Sequence, residues 1–167
     1  MVQVPGFRIS GFIIILIGWL LAACNSPQKE SMSYKVLVIR LKPGEDLKEG
    51  IEKSVKENNI RAGWIATTVG SLTHYNIRFA NQPSGSSDSG HFEIVSVSGT
   101  VSVNGSHLHI GISDSTGRQI GGHLLNGCTV YTTAEIVIGT TTEYEFTREK
   151  DGSTPWEELQ VIKKAQR

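Results

Sequence analysis

Hydrophobic positions recur along this chain with a period of two over most of its length and with a period near four in one short stretch. In residues 34–41, Val36 and Val38 fall on one side of a pleat and Leu37, Ile39 and Leu41 on the other. That pattern predicts a strand apolar on both faces, and hence central in its sheet. Lys42-Pro43-Gly44 breaks it. Across residues 46–58, Leu47, Ile51 and Val55 step by four among Lys and Glu, the pattern of an amphipathic helix lying on a sheet and closed by Asn58-Asn59. Residues 61–69 and 73–80 read as two strands joined through Gly70-Ser71, with Ile65, Val69, Ile77 and Phe79 as core. Strand, helix and strand in that order suggest a βαβ opening.

Residues 81–90 are polar throughout and predict a surface loop. After them the chain is continuous β: residues 91–103, 106–113, 119–125 and 129–142, separated by Asn104-Gly105, Ser115-Thr116-Gly117 and Asn126-Gly127. Asn-Gly is a strong hairpin signal, because both central positions of the tight turn require positive φ. Residues 142–148 suit an edge strand, and Asp151-Gly152-Ser153-Thr154-Pro155 opens a polar tail at residues 149–167. Trp156 and Leu159 could dock that tail on the body or on a neighbouring subunit.

The first 23 residues follow other rules. Arg8 precedes the uncharged apolar run of residues 12–21, too short to span a bilayer comfortably, and small residues follow it. This reads as a signal peptide. Leu21-Ala22-Ala23-Cys24 resembles a bacterial lipobox, which implies lipid on Cys24, cleavage before it and a polar tether over residues 24–33. The expected location is the cell envelope, as a lipoprotein anchored through that lipid, with simple secretion as the alternative. Cys128 is the other cysteine, so a lipidated Cys24 leaves no intrachain disulfide and the core alone must hold the fold. Without Arg8 the chain carries 15 Lys plus Arg against 16 Asp plus Glu, a net charge of −1. Phosphate neutralisation supplies most nucleic-acid affinity, so this balance argues against DNA or RNA as partner.

The chemistry concentrates between Ser106 and Leu125. His107 and His109 alternate on one strand and point the same way. If residues 113–117 turn the chain back as a hairpin, His123 comes alongside them. Three converging imidazoles would hold a divalent metal, zinc by donor type, and leave a fourth position open. Gly121 and Gly122 could leave room for a ligand or re-aim His123 through a bulge, or could simply break the strand. Glu135 sits between Ala134 and Ile136, where a carboxylate is costly unless paired. It is read either as a partner or acid/base beside the metal or as an outward-facing residue. Glu93 sits similarly, His91 and His74 have no directed role, Cys128 suits burial better than ligation, and Trp64 suits the core or an interface.

Four phrases occur in order: Gly90-His91-Phe92-Glu93-Ile94-Val95-Ser96-Val97-Ser98-Gly99-Thr100, His107-Leu108-His109, Gly121-Gly122-His123-Leu124-Leu125 and Thr133-Ala134-Glu135-Ile136-Val137-Ile138. Together they resemble the PPC domain of plants and prokaryotes, over nearly all of residues 34–147. The resemblance implies an α+β fold for a domain at residues 34–148, a mixed, largely antiparallel sheet wrapped around a helix, assembled as a homotrimer. The Arg-Gly-Arg-Pro hook of plant members is missing and the histidines are unlike theirs, so the likeness is to the prokaryotic branch, and the DNA-binding label of plant relatives is not carried across. More distantly, His107, His109 and His123 are similar in type and order to the metal ligands of the acetolactate decarboxylase group.

Two functional expectations follow, beside a third, a DNA-binding protein by family label, that the export signal and the net charge of −1 disfavour. One is a metal-binding module whose open coordination position takes a small anionic or carbonyl ligand. The other is a metal-dependent lyase or decarboxylase in which Glu135 moves a proton.

Overall fold

The computed structural model describes residues 34–165. The leader, Cys24 and the tether lie outside the described residues. The helix forms where the four-residue step places it, as α1 (Leu47–Glu57), after strand β1 (Tyr34–Leu41). Asp46 caps it with one carboxylate oxygen accepting from the Glu49 amide at 2.9 Å, while the other accepts from the Gly127 amide at 2.6 Å. Its apolar stripe of Leu47, Ile51 and Val55 is buried.

The remaining strands are β2 (Gly63–Arg78), β3 (Ser86–Ser102), β4 (Gly105–Ser113), β5 (Gln119–Leu124), β6 (Thr129–Thr141), β7 (Tyr144–Glu149) and β8 (Glu158–Lys163). Five of them form one six-stranded sheet with β1, in the order β1-β6-β2-β3-β4-β5, and every strand pairing among the described residues is antiparallel. The fold is thus a mostly antiparallel β-sheet with one short helix. β1 and β2 both run antiparallel to β6, so they are parallel to each other with β6 between them. The expected βαβ opening is present in this split form.

The sheet also curls until β5 reaches the far end of β2, through Ile77 opposite Leu124 and Arg78 opposite His123. Gly122 makes this closure possible, and Gly121 allows the close approach of β5 to β4 beside it. A Cβ at Gly121 would lie 2.6 Å from the Ile110 carbonyl oxygen, and one at Gly122 would lie 2.5 Å from that of Arg78. Their bareness serves backbone approach, not space for a ligand. Inside the curl the apolar stripe of α1 belongs to one core cluster with Leu72, Ile77, Leu108, Ile112, Leu124, Ile136 and Ile138, all nearly inaccessible.

Several expectations change. β1 is an edge strand, not a central one: Leu37 and Ile39 pack on the core, but Tyr34, Val36 and Val38 are exposed. β2 runs through Gly70-Ser71 without a turn, absorbing shifts of register there, and Val69 faces outward. Residues 86–90 belong to β3, where Ser86–Ser89 pair with β2 despite their polarity, since ladder bonds use only the backbone. Asn126-Gly127 does not make a hairpin, because β5 and β6 both pair with β2 and not with each other. β7 leaves the main sheet and pairs with β8, so the tail carries a strand of its own.

The β7–β8 ribbon is fastened to the body. The Phe146 amide donates to the Arg61 carbonyl at 2.9 Å, and Ser102 and Asn104 donate to the Phe146 carbonyl at 3.0 and 2.9 Å. Arg61 pairs with Glu145, and Arg148 Nη2 donates to Thr100 Oγ1 at 2.8 Å. Among the described residues no helix is long and apolar enough to cross a membrane.

Candidate metal centre

β4 buries Leu108, Ile110 and Ile112 in the core, so the alternate positions His107 and His109 stand on its opposite face. The turn after β4 is held by Asp114, whose Oδ1 accepts from the Thr116 amide and hydroxyl and from the Arg118 amide at 2.8, 2.6 and 3.1 Å. Gly117 takes the positive φ of +82° that the turn needs. The return strand then sets His123 directly opposite His109. The hairpin predicted from residues 113–117 therefore gathers the three side chains.

The ring centroids of His107 lie 5.0 Å from those of His109 and 4.9 Å from those of His123, and the third pair is 5.7 Å apart. One ring nitrogen from each residue lies within 4.8 Å of the others. His107 Nε2 and His109 Nε2 are separated by 3.2 Å. Two imidazole nitrogens bound to one tetrahedral zinc sit about 3.3 Å apart, given Zn–N distances of about 2.05 Å.

The electrostatics favour ligation over protonation. Burial, followed by His107, Arg78 and His109, holds the His123 imidazole at about 4. Burial, Arg148 and His109 also push His107 below the ordinary value, against a smaller opposing pull from Glu158. Metals bind the neutral ring. His123 Nδ1 is moreover buried with no hydrogen-bond partner, a cost that an ion or its bound ligand can remove. The residues thus fit a divalent ion.

The other candidates sort by place. Glu135 is exposed on β6, with Arg40 and Val69 as its cross-strand neighbours, and does not join the three histidines. Its apolar flanks Ala134 and Ile136 take the core side, leaving the carboxylate outside. Glu93 is exposed on β3, His74 Nδ1 meets Ser89 Oγ at 3.0 Å, and the ring of His91 lies 4.4 Å from that of Tyr131. Cys128 is fully buried, and burial raises its thiol to about 11.

The carboxylate that does stand beside the cluster is Glu158, at the start of β8, which shares a hollow with His107 and Arg148. Sequence reasoning missed it, together with Arg78 and Arg148. Of the two residues expected to dock the tail, Leu159 is half-buried beside the histidines, whereas Trp156 lines a hollow there with most of its surface exposed.

Comparison with known proteins agrees with this architecture. Residues 28–142 match the model of the Plants and Prokaryotes Conserved (PCC) domain, the domain also abbreviated PPC. The bifunctional protein GlmU of Synechococcus sp. strain JA-3-3Ab is 40% identical over 146 residues, 87% of this chain but 24% of that protein. The chain therefore spans about a quarter of the length of the curated relatives it matches. A hypothetical protein from Salmonella enterica is 36% identical with a TM-score of 0.78, over 81% of this chain and 99% of its own. A metal-containing protein from Archaeoglobus fulgidus shares the fold at 24% identity and a TM-score of 0.65, over 78% of this chain and 99% of its own. A Staphylococcus aureus protein of unknown function similar to alpha-acetolactate decarboxylase matches at a TM-score of 0.41 and 15% identity over 64% of this chain and 52% of its own, too slight to bear on function. With four phrases in order, a matching fold and a family model covering most of its length, the chain belongs to the Plants and Prokaryotes Conserved domain family.

Proposed function

We propose that this chain is an exported, lipid-tethered homotrimer that binds one divalent metal ion per chain, zinc by donor type, through His107, His109 and His123. The observation that carries the reading is the convergence of three ring nitrogens within 4.8 Å, two of them at the spacing of a tetrahedral site. The metal content of the Archaeoglobus relative agrees with it. A small anionic or carbonyl molecule would take the open position, which makes the role binding or sensing. A lyase reading lacks its carboxylate at Glu135, since that residue lies elsewhere.

Metal analysis of the purified protein is the direct test. One ion per chain is expected, falling to a small fraction in His109→Ala, whose side chain is exposed and not needed by the core. Unchanged metal content in that variant sinks the reading. Export and tethering rest on the leader and Cys24. Fractionation is expected to find the chain with membranes and to find Cys24→Ser released from them.

The trimer reading is supported by the outer face of β1, β6 and β2. Val36 and Trp64 flank Gly139 and Val38 lies beside Val137, forming an apolar surface that Val69 extends past the exposed Glu135 and Arg40. Tyr34, Val36, Val38 and Val69 are each more than half exposed. A surface of this kind on a single copy fits burial against another.

A further inference from the structure

A second feature of the site concerns what the ion would face. The β7–β8 ribbon brings its connecting segment past the histidines, and between them lies a hollow of about 550 Å³. That volume suits a small organic molecule, for which sites run from roughly 300 to 1,000 Å³. Arg78, Arg148 and Lys150 supply cationic groups around it, and Leu125, Pro155 and Trp156 supply apolar surface. Glu157 and Glu158 also line it, so three cations against two carboxylates leave one positive charge. A divalent ion on neutral imidazoles raises that to three.

Two observations suggest groups held ready for a partner. The Arg148 guanidinium is fixed through Nη2 on Thr100, while its Nε is buried with no hydrogen-bond partner. Trp156 leaves 64% of its surface exposed, an unusual position for a large ring, with the Arg78 guanidinium 5.5 Å from its centroid. A guanidinium beside an open aromatic face presents a charged contact and a flat apolar one side by side.

We propose that this hollow binds an organic carboxylate bearing a flat apolar group, the carboxylate held by Arg148, Arg78 and the metal and the flat group laid along Trp156. The inference deepens the metal reading and rests on it for part of the charge. A single arginine on a carboxylate is worth about tenfold or more in affinity. Stacking on Trp156 adds a contribution that a methyl group cannot match.

The test uses the full chain in detergent, loaded with zinc and assayed for metal, titrated with benzoate, benzamide and acetate by calorimetry and tryptophan fluorescence at low ionic strength. Benzoate is expected to saturate one site per chain and to bind at least about tenfold more tightly than benzamide, which has its shape without its charge. Arg148→Gln is expected to weaken benzoate about tenfold, with Arg148→Lys recovering part of the lost affinity. Trp156→Ala is expected to weaken benzoate and leave acetate unchanged. Arg78→Gln gives a second charge deletion that leaves the Arg148 to Thr100 bond in place. Equal affinity for benzoate and benzamide overturns the inference, as does benzoate affinity unchanged in both arginine variants. A chain that holds its ion but no benzoate overturns it while leaving the metal reading intact. A chain that holds no ion yet prefers benzoate over benzamide supports the hollow and its arginines as the carboxylate site, and overturns the metal reading together with the ion's share in holding the ligand.

Discussion

His123 is where geometry and titration meet. In metal-free protein its folded imidazole protonates only near 4, whereas an unfolded one takes its proton near pH 6.5. Between those values the unfolded chain binds more protons, so stability is greatest above about pH 6.5 and is lost as pH falls toward 4. Urea unfolding in chelator is expected to show a midpoint that drops across that range, and His123→Gln is expected to flatten the dependence. The residue level also explains what could be read in advance. The histidines were legible because two alternate on a strand and the third follows a turn built from Asp, Ser, Thr and Gly, all local features. Glu135 drew attention for its apolar neighbours, but these mark only the buried face of the strand it shares with them. Trp156 and Glu158 were illegible as site residues because a polar tail carries no periodicity that says where it returns, and Arg148 because an edge strand does not reveal which neighbour its side chains meet.

At the level of elements, the site depends on the β4–β5 hairpin being held against β2. Gly122 sits at that seam, with the Arg78 carbonyl oxygen 2.5 Å from where a side chain would begin. Gly122→Val is expected to lower the unfolding free energy by about 2–3 kcal/mol, read from urea denaturation, because backbone cannot yield as a flexible side chain can. α1 was legible to within a residue at each end, since its apolar step, its Asp46 cap and its Asn58 terminus all agree. The long β2 was not, because Gly70-Ser71 has the composition of a turn while functioning as an irregularity within a continuous strand. Likewise the alternation in β1 showed two apolar faces but could not show that only one meets the core of its own chain.

For the whole molecule, that second face is the main open term. Val38→Asp places a charge on the apolar surface of β1, β6 and β2, beside Val137. Light scattering on the eluted protein is expected to fall from a trimeric to a monomeric mass, with metal per chain retained because the histidines lie on β4 and β5. A trimer that survives the charge would count against that surface as the interface.

The three imidazoles come from one hairpin, whereas the cationic and aromatic wall beside them is contributed largely by residues 148–158. On the proposed reading, grip on an ion and choice of its companion are therefore encoded in separate stretches of polypeptide. Change confined to the later stretch can retune which guest is welcomed without disturbing the cation beneath it, so relatives alike in their hairpins can differ in what they carry.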